Sequence, residues 1–280
     1  MLSYRHQFHA GNFADVFKHA LLCALLLHLG RKPKPFCYLD THAGIGRYDL
    51  SHPWARKRGE YRDGIARVWE RDDAPHALVP YLEAVRAENP DGRLRRYPGS
   101  PCIARRCLRA GDRMVLCELN ERDCERLRKI FAQDRPVAVH HRDGYQALKA
   151  LLPPAERRGL VLVDSAFDRA GEFARLVHAL VSAHGRWPTG VLALWYPLME
   201  PAAVLAFERK AAASGVRRIL KLELSIRPAG WSASLRGCGM LVVNPPYRLD
   251  AQMEPVLEWL CRALAPAGEG ASHIRWLVPE

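Results

Sequence analysis

Four apolar runs in this 280-residue chain each close on an acid, and a carboxylate that ends a buried strand is placed to hold a ligand or to do chemistry. The first, Phe36 to Asp40, turns at once through His42, Gly44 and Gly46 with the spacing D-x-x-x-G-x-G. Glycine lets backbone approach a ligand closely, because it tolerates positive φ and carries no Cβ. A dinucleotide oxidoreductase loop reads G-x-G-x-x-G, and its third glycine is missing here. The spacing points instead to S-adenosylmethionine, with Asp40 holding the turn amides or the cofactor's amino group. In the second run, Met114 to Glu118, the closing acid Glu118 sits where a carboxylate takes both ribose hydroxyls. The third, Val137 to Val139, leads to Asp143 and Gly144, an acid and a free amide suited to an adenine edge. The fourth runs from Gly159 to Asp164.

The segment after that fourth run suggests a reaction. Methylating an exocyclic adenine amine is difficult because its lone pair is delocalised into the ring, so a site must accept the amine's hydrogens while holding nitrogen in line with the methyl donor. An acid, a backbone carbonyl and an aromatic that stacks on the extruded base supply those parts. The signature is (D/N)-P-P-(Y/F/W). Here the run ends Asp164-Ser165-Ala166-Phe167, matching the acid and the aromatic but neither proline. A literal match, Asn244-Pro245-Pro246-Tyr247, occurs later. Position favours Asp164, since the motif should close the fourth strand beside the cofactor loop. Asn244 follows two further β-α units and belongs toward the far side of the sheet, where Pro-Pro serves to end a strand.

The elements that must position these groups alternate between strand and helix. Phe13 to Leu29 reads as a helix apolar on most faces, with Lys18 and His19 as polar exceptions that need partners, either a ligand anion or a protein acid. The second strand begins about 70 residues after Gly44, where a βαβ unit needs about 30. A helical insertion over residues 50–96 is therefore expected, with helices at Arg62 to Arg71 and Ala77 to Glu88, interrupting a core made of 1–49 and 97–280. Ser100 is expected as an N-cap with Pro101 at the first helical position. Helices at about 171–184, Pro201 to Ser214 and 250–264, with strands at Val191 to Tyr196, Ile219 to Leu224, Met240 to Val243 and Ile274 to Val278, complete an α/β fold with a mainly parallel, doubly wound sheet.

Composition narrows the partners. Net charge is +12, and 34 of the 42 basic residues are arginine, the residue of bidentate phosphate contacts and of stacking on bases. A polyanion is the expected partner. The N-terminal mixture of Tyr4, Arg5, His6, Phe8 and His9 suits RNA contact. Eight cysteines form no C-x-x-C pair, which argues against zinc and against a disulfide framework, and no metal is expected. The apolar stretch Ala20 to Leu27 is too short to span a bilayer. A soluble, cytoplasmic monomer without membrane attachment is expected.

From MLSYRHQFHAGNFADVFKH through YLDTHAGIGRY, YPGSP, CELN, HRDGY, ALWYP and NPPY to WLVPE, the chain resembles the RlmJ family, large-subunit ribosomal RNA adenine-N6 methyltransferases. The resemblance implies a Rossmann-like S-adenosylmethionine-dependent methyltransferase fold acting on 23S ribosomal RNA. It implies cofactor contacts from Lys18, His19, His42, Ser100, Glu118, Asp143, Gly144 and Asp164, catalysis by Asp164 with Phe167, and RNA contacts from Tyr4 and His6. The departure at Ser165-Ala166 removes proline's fixed φ from the motif. It leaves a second reading, a basic Rossmann-like RNA-binding protein with weak or no methyl transfer. An NAD-dependent oxidoreductase is a third, disfavoured by the glycine spacing.

Overall fold

The computed structural model describes residues 5–280 apart from 229, 232, 233 and 266, so Tyr4 lies outside the described residues. The helices are α1 (Phe13–Gly30), α2 (Pro53–Arg58), α3 (Val79–Ala87), α4 (Ser100–Cys107), α5 (Glu121–Ile130), α6 (Gly144–Leu151), α7 (Glu172–Arg186), α8 (Pro201–Ala212) and α9 (Leu249–Leu264). The strands are β1 (Cys37–Asp40), β2 (Arg47–Asp49), β3 (Arg96–Pro98), β4 (Arg113–Glu118), β5 (Val137–His141), β6 (Gly159–Val163), β7 (Val191–Pro197), β8 (Ile219–Ser225), β9 (Gly237–Val243) and β10 (Ala271–Val278).

Eight of these strands form one sheet in the order β10-β8-β9-β7-β6-β1-β4-β5. From β5 to β7 the neighbours are parallel, whereas β9 is antiparallel to both β7 and β8, and β10 is antiparallel to β8. The chain winds outward from β1 through β4 to β5, then returns to place β6 on the other side of β1. That reversal opens a crevice at the carboxyl ends of β1 and β6, where open α/β sheets bind ligands. The architecture is a Rossmann-like doubly wound fold. Both faces of the sheet are covered, which is why its central strands read as continuous apolar runs.

Alternation along the strands sorts the core into two layers. Tyr38, Met114, Leu116, Leu160 and Leu162 face one layer with α1, α4 and α9. Cys37, Leu39, Val115, Val161 and Val163 face the other with α6, α7 and α8. α1 is buried on nearly every side and is capped by Asn12, whose side chain accepts from the Asp15 amide. By length and composition this helix would suffice to cross a membrane, contrary to the shorter apolar stretch counted from sequence. Yet 83% of it is buried inside the fold, as the central helix of its layer.

Residues 47–98 leave and rejoin the core through an antiparallel ribbon of β2 and β3, a feature not anticipated from sequence. The excursion holds α2 and α3, but the helix expected over Arg62 to Arg71 is replaced by 3-10 turns at Glu60–Arg62 and Ile65–Arg67. Gly59 and Gly64, flanking the first of these turns, deny a longer helix its continuity. Its buried residues, including Ile65, Trp69, Tyr81 and Val85, belong to the same core cluster as α1. Among the described residues no helix separates β8 from β9, which pair antiparallel, so β9 enters the sheet reversed.

Gly144 opens α6 against the loop that follows β1, where a Cβ would sit 2.1 Å from the Thr41 carbonyl oxygen. Gly144→Ala must therefore push helix and loop apart, and overpacking of this kind costs about 1 to 3 kcal/mol. Urea denaturation should show a loss of that size. A wild-type midpoint would mean that the contact yields freely.

Candidate active site

Alternation along β6 turns Leu160 and Leu162 toward α1, and the next residue of that parity is Asp164. Lys18 comes from the second turn of α1 to meet it. Its ammonium donates to Asp164 Oδ2 at 2.5 Å and to Asp15 Oδ1 at 2.8 Å. The partners left open by the sequence are thus protein acids. Asp15 is 1% exposed and also accepts, through Oδ2, from the Gly11 amide at 2.9 Å, with His6 Nε2 at 2.9 Å from the same oxygen. Burial alone would push the Asp15 carboxyl up, but His6 and Lys18 outweigh it and hold the acid well below the usual carboxylate range. Burial likewise opposes the Lys18 charge, and Asp15 and Asp164 reverse that, raising it well above an ordinary lysine. The result is a continuous chain of contacts from His6 through Asp15 and Lys18 to Asp164.

Asp40 supports the loop after β1 from beneath. Fully buried, it accepts from the Tyr38 hydroxyl and the Ser100 hydroxyl, each at 2.7 Å, and from the His42 amide at 3.2 Å. Ser100 is therefore not the N-cap. Gly99 caps α4, and the Ser100 side chain is spent on Asp40. His42 Nδ1 lies 2.8 Å from the Thr41 hydroxyl, and its ring meets Tyr145 edge-on at 5.3 Å. His19, 1% exposed, pairs through Nδ1 with the Tyr97 hydroxyl at 2.7 Å. Burial, with Lys18 beside it, pushes its imidazole well below the ordinary value and keeps it neutral.

At the carboxyl end of β4, Glu118 accepts from the Gly44 amide at 2.9 Å through one oxygen and from the Asn120 amide at 2.7 Å through the other. Each oxygen retains a further acceptor position. Gly44 has φ of +62°, a conformation natural to glycine, and a Cβ there would meet the Tyr48 hydroxyl at 2.4 Å. Asp143 caps α6 by accepting from the Gln146 amide at 3.0 Å. Phe167 adopts a left-handed φ of +51° and is bracketed edge-on by Phe173 at 5.0 Å and Trp195 at 5.9 Å. Aromatic packing holds this strained backbone in place.

His6, Lys18, His19, His42, Ser100, Glu118, Asp143, Gly144, Asp164 and Phe167 all line a single cavity of about 1110 Å³. Asn244 does not. Because β9 runs antiparallel to β7, its last residue, Val243, pairs with Leu192 near the start of β7, so Asn244 emerges at the opposite edge of the sheet. There its side-chain amide donates to the Pro188 and Gly190 carbonyls, and Tyr247 is 85% exposed. Sequence reasoning missed Asp15, though an acid three residues before Lys18 in an apolar helix was the available signal. It also missed Tyr145, whose hydroxyl donates to Glu172 at 2.5 Å while Arg175 lies 4.6 Å over its ring. Among the described residues no cluster of His, Cys, Asp and Glu is arranged to hold a metal, and all eight cysteines are free.

Burial raises Asp40 to about 6, although the hydroxyls of Ser100 and Tyr38 and the His42 amide oppose it. A raised carboxyl favours the folded state in its protonated form. Its contribution is full below about pH 4, the unfolded value, and is lost as pH rises through about 6. The shift corresponds to a decline on the order of 3 kcal/mol. Asp40→Asn, neutral throughout, should flatten the stability profile between about pH 4 and about pH 7. Parallel profiles for the two proteins would show that Asp40 titrates normally.

Comparison with known proteins places the chain in a family. Residues 33–278 match the family described as Ribosomal RNA large subunit methyltransferase D, RlmJ. The chain is 45% identical over 280 residues to the Ribosomal RNA large subunit methyltransferase J of Escherichia coli (strain K12), and 42% identical over 281 residues to that of Haemophilus influenzae, each alignment covering 100% of both chains. Among solved structures, protein LPL1258 from Legionella pneumophila str. Philadelphia 1 superimposes with a TM-score of 0.89 at 37% identity, covering 96% of this chain and 98% of that one. With family model, full-length relatives and fold in agreement, the chain belongs to the RlmJ family of ribosomal RNA large subunit methyltransferases.

Proposed function

We propose that the protein transfers a methyl group from S-adenosylmethionine to the N6 amine of an adenine in 23S ribosomal RNA. One observation carries the reading: Asp164, paired with Lys18, shares a cavity with Glu118 and Asp143 in a chain of this family. The residues fit the cofactor. Gly44 and Gly46 hold positive φ in the loop after β1; Glu118, Asp143 and Gly144 line the cavity, where Glu118 would hold the ribose diol and Asp143 with the Gly144 amide would meet the adenine edge. When bound, the cofactor would supply the methyl group, its S–CH3 bond breaking with the electron pair left on sulfur as a neutral thioether.

Asp164 accepts a hydrogen of the target amine and takes the proton that nitrogen sheds once its new bond to carbon has formed. Lys18 keeps that carboxylate oriented and neutralises its charge against the neighbouring acids. Phe167, fixed by Phe173 and Trp195, offers its ring to the extruded base. The arginine-rich surface draws in the phosphate backbone, so affinity for RNA should fall steeply with salt. Such a substrate places the reaction in the cytoplasm. The Ser165-Ala166 departure supports the second reading, RNA binding with little transfer. Incubating the protein with labelled cofactor and unmodified ribosomal RNA, then mapping the label, separates the two.

Asp164→Ala should lower the single-turnover rate by about 10² to 10³ while cofactor and RNA still bind. Asn244→Ala should stay near wild type. If instead Asn244→Ala is inactive and Asp164→Ala active, the assignment is overturned. Glu118→Ala should weaken cofactor binding by roughly ten- to a hundred-fold in calorimetry. Unchanged affinity would remove Glu118 from the site.

A further inference from the structure

The cavity mouth carries two exposed tryptophans that the chemistry at Asp164 does not use. Trp54 opens α2 in the excursion and keeps 41% of its surface exposed. Phe8 stacks on it at 5.1 Å with the planes 12° apart, and His52 meets it edge-on at 5.3 Å. Trp231 stands in the connection between β8 and β9 and keeps 39% exposed. The Arg227 guanidinium lies 5.1 Å over its ring, and its indole N–H donates to the Ser234 hydroxyl at 3.0 Å. Both rings are thus held by neighbours while a large part of each faces water.

Topology sets the two rings on either side of Asp164. The connection bearing Trp231 rises from the carboxyl end of β8, which lies beyond β9 and β7 from β6. The excursion bearing Trp54 leaves from the loop after β1, the neighbour of β6 on its other side. Both tryptophans line the cavity that holds Asp164 and Phe167. Its lining also includes the exposed arginines Arg58, Arg122, Arg126 and Arg169. Flat aromatic faces set among arginines fit a single-stranded nucleic acid, whose bases stack while its phosphates meet the cations. An apolar peptide offers these arginines no anion, whereas a phosphate can compete for Arg58 and Arg126, which sit only in long, exposed pairs with Glu60 at 3.4 Å and Asp123 at 3.8 Å.

Resting on the reading of the protein as an RNA methyltransferase, we propose that Trp54 and Trp231 are stacking platforms for the unpaired nucleotides on either side of the target base. Each platform grips a flanking base while the target enters between them toward Asp164. The rings bind RNA and take no part in transfer.

The test uses the full chain and an RNA oligonucleotide that the wild type methylates, with Trp54→Ala, Trp231→Ala and the corresponding Phe variants. Each Ala variant should weaken RNA binding and raise KM for RNA by roughly five- to a hundred-fold. The kcat at saturating RNA and the affinity for cofactor should hold. The salt dependence of binding should keep its slope, since no phosphate contact is removed. Phe, which preserves a stacking face, should restore most of the affinity; for Trp54 it also preserves the contact with Phe8, so a loss seen only in the Ala variant with reduced thermal stability is separable from lost stacking. Wild-type KM in both Ala variants, a defect confined to kcat, or failure of Phe to rescue would overturn the proposal. If the wild type methylates no RNA, the functional reading fails, while RNA affinities of the same variants still decide the platforms.

Discussion

A single buried ammonium joins the fold to its chemistry. Lys18 stands in a helix that is otherwise almost wholly apolar, and moving such a charge out of water costs several kcal/mol unless it is well paired. Its two carboxylate partners come from different places. Asp15 sits one turn earlier and is itself held by His6 and the Gly11 amide, while Asp164 arrives from the end of β6, 146 residues away. Helix, N-terminal segment and strand must all be seated before the charge is satisfied. The orientation of the reactive acid is thus a by-product of solving an electrostatic problem in the core.

The other half of the sheet solves a similar problem without a cavity. Lys221, 4% exposed on β8, donates to Glu208 at 2.7 Å and to Glu223 at 2.8 Å, and the Tyr196 hydroxyl donates to Glu223 at 2.8 Å. Arg275 from β10 completes the shell at 2.6 Å from Glu208. Every charge there is matched by protein, which pins α8 to the edge of the sheet. At Lys18 the network instead opens toward the cavity through Asp164. Two lysines of similar burial differ in whether their acids are enclosed.

Much of the site was legible in sequence because strands that end at one edge deliver their last residues to one place. Asp40, Glu118 and Asp164 share that edge once their strands are parallel, and counting apolar runs sufficed to find them. Pairing across 146 residues was not legible, since nothing local tells Lys18 which acid it will meet. Strand direction was equally hidden. The reversal of β9 carries the better-spelled motif at Asn244 to the opposite edge, so orientation within the sheet outweighs the letters of the motif. The third apolar run is the shortest because β5 is an edge strand whose side chains are only partly covered. The 3-10 turns of the excursion follow from glycines that break helical pattern without announcing what replaces it.

The ribbon of β2 and β3 has a consequence for how such a chain can vary. Pairing of Arg47 with Pro98 and of Asp49 with Arg96 brings the two ends of the excursion side by side, and Asn89, 4% exposed, seals the join by bonding to Val85, Arg95 and Arg96. Closing a loop already held at its base adds little entropy with length, about 0.6 kcal/mol for each doubling. The sheet therefore registers the excursion as a short stitch, whatever its length. Exposed stretches beyond the stitch, such as residues 70–73, can be lengthened or exchanged without disturbing strand order, while the buried Ile65, Trp69, Tyr81 and Val85 keep the rest of the excursion tied to the core of α1.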